Sequence, residues 1–579
     1  MSKWMVVNKK GDFEGIAKRN NISPMLARIF VNKGISEDEE IRDFLDCDLS
    51  KLKDPHLMKD MDKARDILSK HIDDKKNILI IGDYDIDGVC SSYILKRGLF
   101  RLGNHALVRL PHRIADGYGM NMKMVDEAYD KGVDIILTCD NGIAAYDEIE
   151  YANSKGIKVI VTDHHEVPFS LTDTGEKLYR LPNALAVVDP KQEDCPYPFD
   201  GICGGVVAFK LIQCLYEKYG IDREELYDLL PYAAFATVGD IMELKDENRV
   251  IVSRGLDRMR SCRDFGLNAL IDACRVDRKK LSPYHLGYVL GPCINATGRL
   301  DSPDRALELL LSKDHKEATL IASELRTFND DRKSMQALFT EKAIRLIDED
   351  ESYSKDTVLV LYLPDCHESL AGLIAGKLRE KYSKPSFVLT DGESCVKGSG
   401  RSIEAYDMFS EMNKCKELFL KFGGHKMAAG LSLEKENVSK FREKINAFSS
   451  LKEEDLVNVY NADMQLHFKG ANLAFAKELE RLEPYGNGNS KPLFCEKGIR
   501  VVDTRILGNN NNTLKLTLVP EEGINDPSLR REAMIFGEAD RLEAELKDRE
   551  DIKILFELSI NSYMGKESPQ LTIKDYKLF

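Results

Sequence analysis

Asp83, Asp85 and Asp87 occupy alternate positions of IGDYDIDGV, residues 81–89, where the apolar run NILII gives out. Carboxylates so close together raise one another's pKa unless a cation lies among them. Groups of the same chemistry follow later apolar runs: Asp140 in CDNG, Asp163, His164 and His165 in TDHHE, and Asp240 in VGD. Oxygen ligands with a minority of nitrogen favour a hard or borderline divalent ion, Mn2+ or Mg2+, over zinc held by thiolates. One ion would leave several of these carboxylates uncompensated, whereas two ions about 3.5–4 Å apart, bridged by a shared carboxylate, account for their number. Such a pair polarises a phosphorus centre and activates water, so the expected reaction is metal-assisted hydrolysis of a phosphate ester or anhydride.

Taken singly, each residue has a plainer explanation. An Asp after a strand commonly caps a helix or shapes a turn, and a His-His pair commonly lies on a surface. Three successive strand ends all finishing in metal-type ligands do not follow from turn chemistry.

The elements that must position these residues are legible from about residue 77 to 190. Short apolar runs (NILIIGD, HALVRLP, VDIILTCD, IKVIVTD, ALAVVDP) alternate with helix-like segments, the pattern of a parallel sheet covered on both faces. The carboxyl ends of strands in an open α/β sheet share one edge, so the polar clusters are expected to converge on a single crevice. Residues 1–75 read as an N-terminal helical extension, 76–303 as the catalytic α/β domain, 304–350 as a charged helical linker and 351–450 as a smaller α/β domain. Residues 451–579 carry five strand runs with a helical stretch before the fourth, which suits a β-barrel of the OB-fold type.

Composition sets limits on partners and location. At 579 residues and 43% apolar content the chain can build several cores. Thirteen cysteines without a Cys-x-x-Cys pair suit reduced thiols rather than a disulfide framework or zinc knuckle. No window nears the ~18 uninterrupted apolar residues of a membrane span, and the opening residues lack the apolar run of a signal peptide. The expected location is the cytoplasm, away from any membrane. A net charge of −14 argues against nucleic-acid binding by the surface at large. Residues 351–450 carry a net charge of +1 and residues 451–579 a net of −5, from 18 Lys and Arg against 23 Asp and Glu, so phosphate binding has to be local.

DYDIDG, CDNG, TDHHE and VGD, in that order, resemble the four motifs of the DHH phosphoesterase family, and GGHKMAAG resembles the glycine-rich motif of its DHH-associated domain. LPHRIADGYGM, GPCINATGRL, KGSGRSIEAYD and LEPYGNGN are similar to motifs of the family's bacterial exonucleases specific for single-stranded DNA. The resemblance covers about residues 75–500. It implies a parallel-sheet DHH phosphoesterase domain, a smaller α/β DHH-associated domain, and a two-metal 5′ to 3′ exonuclease that releases mononucleotide 5′-phosphates in DNA repair and recombination. One ion would be held by Asp83 or Asp85 or both, the other by Asp87, His164 and Asp240, with Asp140 bridging. His165 would face the scissile phosphate and donate to a non-bridging oxygen.

The resemblance further implies that Arg113, Arg299, Ser399 and Arg401 form a pocket for the 5′-terminal phosphate, guanidinium forks suiting phosphate oxygens. His425, set among glycines that let backbone N–H groups approach an anion, would bind substrate. The partners implied are single-stranded DNA, a RecQ-type helicase and a single-strand-binding protein. Two positions depart from the family: Cys293 stands where an arginine is frequent, and Ser369 where a glycine is. A diesterase of short oligonucleotides or cyclic dinucleotides is the alternative within the family, although such enzymes generally consist of the two catalytic domains alone. A non-catalytic nucleic-acid-binding scaffold is the alternative outside it; loss of ligands would mark it, and none is lost.

Overall fold

The computed structural model describes residues 2–578 except 114, 173, 174, 301, 509, 510, 524, 538 and 548, and for 171, 299 and 300 the backbone alone. The chain divides into two compact units, one of residues 6–326 and 461–579, the other chiefly of residues 327–460.

The larger unit is built on five strands, β1 (Ile78–Ile81), β2 (Leu107–Arg109), β3 (Ile135–Cys139), β4 (Lys158–Thr162) and β5 (Ala186–Val188). They lie in the order β2-β1-β3-β4-β5 and all run parallel. Their near-continuous apolar character has a direct cause, since successive side chains point to opposite faces. Ile78, Ile80, Ile135, Leu137 and Ile160 enter one core, which is roofed by α1 (Ile86–Arg101), α2 (Gly204–Tyr219) and α3 (Leu230–Gly239). Leu79, Ile81, Ile136, Val159 and Val161 enter a second core beneath helices Met122–Asp130 and Tyr146–Ser154. After β1 the chain crosses to β2 on one side, and β3 returns to the other side. The reversal leaves an open crevice at the carboxyl ends of β1 and β3, the usual ligand position of such sheets.

The charged segment after residue 303 is not uniformly solvated. Helix Asp304–Leu311 buries Ala306, Leu309 and Leu310 in the core beside α1, and a 35-residue helix, His315–Glu349, follows it.

The smaller unit has five strands, β6 (Leu359–Tyr362), β7 (Ser386–Asp391), β8 (Val396–Arg401), β9 (Phe419–His425) and β10 (Ala428–Leu433), in the order β9-β10-β8-β7-β6. Only β6 and β7 are parallel. A two-residue turn, Lys426 and Met427, joins β9 to β10.

Back in the larger unit, β11 (Phe494–Leu507), β12 (Thr513–Pro520), β13 (Arg531–Phe536), β14 (Ile552–Tyr563) and β15 (Lys566–Lys577) close into a five-stranded barrel. Closure depends on β11, whose 14 residues pair first with β14 and then, past a register shift, with β12; such irregularities are how a sheet turns a corner. Helix Ala539–Leu546 precedes the fourth strand, so the OB-type barrel expected from the strand runs is present. Its core also takes Leu26, Phe30 and Ile41 from the helices over residues 13–46.

Candidate metal centre

Four of the five carboxylates of the centre have their own backbone device. Asp85 caps α1, its Oδ1 accepting from Asp87 N at 2.9 Å and Gly88 N at 3.2 Å. Asp87, in the first turn of α1, reaches the N-terminus of α2, where its two oxygens accept from Gly204 N and Gly205 N, both at 2.7 Å. The positive end of a helix dipole favours a carboxylate there. Asp83 accepts from Gly119 N at 3.2 Å. Asp140 follows β3 with φ of 60°, a left-handed conformation that few residues other than glycine adopt and that collects at functional sites.

These devices bring together the acidic and imidazole residues singled out in the sequence. Their ligand-type atoms fall within 4.8 Å of one another in three overlapping groups: Asp83, Asp85 and Asp140; Asp87, His164 and Asp240; and Asp140, His164 and His165. His164 Nε2 is the hub, 3.0 Å from Asp140 Oδ1, 3.5 Å from Asp87 Oδ2 and 3.7 Å from Asp240 Oδ2. Among the described residues, Asp87, Asp140 and Asp240 pair with His164, and none of the five carboxylates pairs with a lysine or arginine.

The electrostatic consequence is a site that resists full ionisation by itself. Burial, reinforced by the charge of Asp85, pushes the Asp83 carboxyl up to about 8. Burial and then Asp87 and Asp85 push Asp240 up to about 8. Asp85 and Asp140 are driven up as well, first by burial and then by Asp87, and burial drives His164 down. A set of oxygen donors that repel one another, with one imidazole between them, fits a pair of hard or borderline divalent cations.

Asp163 does a different job from the strand-end carboxylate it resembles. Its Oδ1 accepts from His164 N at 2.7 Å, His165 N at 3.3 Å and His165 Nδ1 at 2.7 Å, and its Oδ2 accepts from Ile143 N at 2.9 Å. It therefore sits outside the three groups and fixes the His165 ring. Burial lowers the His165 pKa, but the hydrogen bond to Asp163 and the charges of Asp163, Asp240 and Asp87 outweigh it and lift the ring to about 9. The imidazolium is 44% exposed, and with Nδ1 committed to Asp163 its Nε2–H is the donor left for a ligand.

Two supporting residues carried no chemical signal of their own. The Tyr118 hydroxyl donates to the Asp140 carbonyl at 2.8 Å and lies 3.3 Å from His165 Nε2. Asn295 Oδ1 accepts from Ile86 N, at the start of α1, at 2.9 Å. Both belong to motifs, LPHRIADGYGM and GPCINATGRL, whose match to the family is the one signal that marks them. Asp189, at the end of β5, shares the strand-end position of Asp140 and went unread. It is fully buried, accepts from Lys191 N at 2.8 Å, and is pushed up to about 7 by burial and by Asp163. It joins none of the three groups.

The residues read as phosphate binders fall in both units. In the larger unit the Arg113 guanidinium lies 5.0 Å from the centroid of the Tyr84 ring, next to the carboxylates. The Arg299 side chain lies outside the described residues, although the helix that carries it, Gly291–Leu300, is described. In the smaller unit the strand register settles how Ser399, Arg401 and His425 are arranged. Ser399 pairs with Gly430 and Gly430 with Gly423; two positions on, Arg401 pairs with Ala428 and Ala428 with His425. Directly paired residues, and residues two apart, share a face, so all three lie on one side of the sheet. A Cβ on Gly423 or Gly430 would meet nothing within 4 Å, which leaves that strip of backbone open. Of the two departures from the family, Cys293 is buried, 3.6 Å from Cys274 Sγ, and the Ser369 hydroxyl lies 2.7 Å from His367 Nδ1.

Comparison with known proteins gives a consistent picture. Residues 77–237 match the N-terminal domain of the DHH family, residues 355–450 the DHHA1 domain and residues 462–575 the RecJ OB domain. The single-stranded-DNA-specific exonuclease RecJ of Bacillus subtilis is 32% identical over 99% of this chain and 70% of its own. That of Haemophilus influenzae is 31% identical over 96% of this chain and 97% of its own. Among solved structures, RecJ from Thermus thermophilus in complex with Mn2+ superposes with a TM-score of 0.82 at 26% identity, over 99% of this chain and 79% of that one.

Proposed function

The chain belongs to the RecJ family of single-stranded-DNA-specific exonucleases, and from that membership and its carboxylate-imidazole centre we infer a 5′ to 3′ exonuclease of single-stranded DNA that releases mononucleotide 5′-phosphates in DNA repair and recombination. The observation that carries the inference is the convergence of Asp83, Asp85 and Asp140 with Asp87, His164 and Asp240 at the switch point of the sheet. The cofactors are two divalent ions, Mn2+ or Mg2+. Asp83 and Asp85 would hold one ion, Asp87, His164 and Asp240 the other, and Asp140, 3.0 Å from His164, belongs to a donor group beside each. When bound, such a pair neutralises phosphate charge and supplies a nucleophile from water at neutral pH.

The remaining steps belong to the protein's own residues. Asp163 fixes the orientation of the His165 ring through Nδ1–H, and the charged ring donates from Nε2–H to a non-bridging oxygen as negative charge builds on the scissile phosphate. Tyr118 steadies the Asp140 backbone, donating to its carbonyl at 2.8 Å. In this reading Arg113 and Arg299 of the larger unit bind phosphates of the strand, as does, on its own unit, the sheet face of Ser399, Arg401 and His425; a 5′-terminal phosphate so anchored sets the polarity. The barrel offers two exposed rings, Phe536 and Tyr563, of the kind on which unpaired bases stack.

An exonuclease confined to single strands depends on separated strands, so the proposed partners include a RecQ-type helicase and a single-strand-binding protein. Among the described residues no helix is long and apolar enough to cross a membrane. The proposed location is the cytoplasm, which suits thirteen free cysteines.

The test is digestion of a single-stranded DNA oligonucleotide labelled at its 3′ end, with Mn2+ or with EDTA, by the wild type and by Asp140→Ala. A ladder shortening from the 5′ end, present only in the wild type with metal, is the expected result. A long strand left intact while dinucleotides are cleaved would replace the assignment with a short-substrate diesterase, and binding of both without cleavage would replace it with a scaffold.

A further inference from the structure

A second cleft opens at the far ends of the two helices that lead to the metal centre. It has a volume of about 570 Å³, within the range of small-molecule sites. Tyr93 and Arg97 line it from α1, Leu229 and Tyr232 from the start of α3, and Arg263 and Phe265 from the loop and helix beyond Ser261. Asp87 opens α1 ten residues before Arg97, about 15 Å at the rise of a helix, and Asp240 follows the last residue of α3. The cleft is thus separate from the catalytic crevice.

Its chemistry is uncharacteristic of a chain with net charge −14. Arg97, Arg258, Arg263 and Lys313 face two carboxylates, Asp228 and Asp264. Arg258 is committed to Glu224 and Asp228, at 2.6 and 3.4 Å, whereas Arg97 and Arg263 have no carboxylate partner among the described residues. The floor is an aromatic pair, Tyr93 and Tyr232, with ring centroids 3.9 Å apart. Tyr232 is 2% exposed, and the Tyr93 hydroxyl donates to Asp264 Oδ2 at 3.4 Å. At the rim Phe265, 44% exposed, offers a flat apolar face.

Uncommitted guanidinium groups suit phosphate oxygens, and an exposed ring suits a heterocycle. We propose that this cleft binds a nucleoside monophosphate. The same chemistry is available from a free mononucleotide or from a terminal nucleotide of a DNA strand. The proposal does not depend on the nuclease assignment, because binding here requires no cleavage.

Calorimetric titration of the full-length, Mn2+-loaded chain tests it, with dTMP, thymidine, inorganic phosphate and an uncleavable phosphorothioate strand as probes. Wild type is compared with the double variant Arg97→Ala, Arg263→Ala, both exposed positions. The expected result is dTMP binding at least tenfold tighter than thymidine or phosphate, weakened at least tenfold in the variant. Melting temperature and single-strand cleavage without dTMP stay at wild-type values, and dTMP slows amide exchange over residues 93–97 and 261–265 in the wild type alone. If the phosphorothioate strand rather than dTMP loses affinity, the strand is the source of the bound nucleotide. If neither loses affinity, or phosphate binds as well as dTMP, the proposal fails.

Discussion

The two regions proposed to meet phosphate use glycine in opposite ways. At the metal centre glycine is there because nothing larger fits: a Cβ on Gly88 would lie 2.4 Å from the Asp83 carbonyl, one on Gly204 2.7 Å from Asp140 Cβ, and one on Gly205 2.5 Å from Ala236 Cβ. On the sheet face of the smaller unit, Gly423 and Gly430 have no neighbours to avoid. The first region uses close packing to hold mutually repelling carboxylates in place through backbone N–H groups. The second leaves backbone uncovered beside Arg401 and Ser399, as a surface meant to be approached by a polyanion would. Chemistry requires the closed arrangement, because ligand positions must not drift, and binding requires the open one.

The sharpest way to break this contrast is to add one methyl group to each region. Gly205→Ala would force Ala236 or the Asp87 clasp to move. Overpacking of this kind destabilises by roughly 1–3 kcal/mol, and displacing the support of a ligand lowers activity by roughly 10–100-fold. Gly430→Ala meets no atom, so its unfolding free energy is expected to stay within the range of ordinary surface changes, about 0.5 kcal/mol, while KM for single-stranded DNA rises. Thermal melts and steady-state kinetics of the two variants decide the matter; similar losses of kcat in both would erase the distinction.

How much of this was legible in the sequence follows the same division. The sheet was legible because strands buried on both faces have no polar alternation to confuse with a helix, and the barrel because turn residues bound its strand runs. The ligand set was legible as strand-end chemistry, yet Asp140 and Asp163 look alike at that level. What separates them is tertiary: the amide of Ile143 and the ring of His165 engage both oxygens of Asp163, while the left-handed backbone of Asp140 turns its carboxylate toward His164. The clasp on Asp87 comes from Gly204 and Gly205, more than a hundred positions away, and no local pattern announces it. Helix Asp304–Leu311 was read with the charged segment that follows, because its buried stripe of Ala306, Leu309 and Leu310 is short.

A second prediction sharpens the contrast through pH. Carboxyl groups whose folded pKa is raised bind their protons more tightly in the folded chain. Their contribution to stability is therefore fully present below the unfolded value near 3.9 and is lost as pH rises through the folded value. Asp83 and Asp240, both raised to about 8 by burial and by neighbouring carboxylates, place that loss between about pH 4 and pH 8. His165, lifted to about 9, adds a loss of the same sign between its unfolded value near 6.5 and pH 9. The EDTA-treated chain is expected to melt several degrees lower at pH 8 than at pH 5, and saturating Mn2+ to remove most of that difference. A metal-free melting temperature that is flat or rises across this range would show that the carboxylates are not held as close as the three groups require.

The smallest effect should come from Tyr118→Phe, which tests whether the closed region extends beyond its ligands. The ring is retained, so packing changes little, but the Asp140 carbonyl loses its donor and His165 a polar neighbour. One hydrogen bond of this type contributes about 0.5–1.5 kcal/mol, equivalent to roughly a two- to tenfold fall in kcat if it acts through Asp140 in the transition state. KM should stay near wild type, because a positioning residue acts on the reacting groups rather than on strand binding. Ser399→Ala, on the open face, should do the reverse, raising KM and sparing kcat. If Tyr118→Phe instead raised KM with kcat unchanged, its hydroxyl would act in strand binding rather than through Asp140.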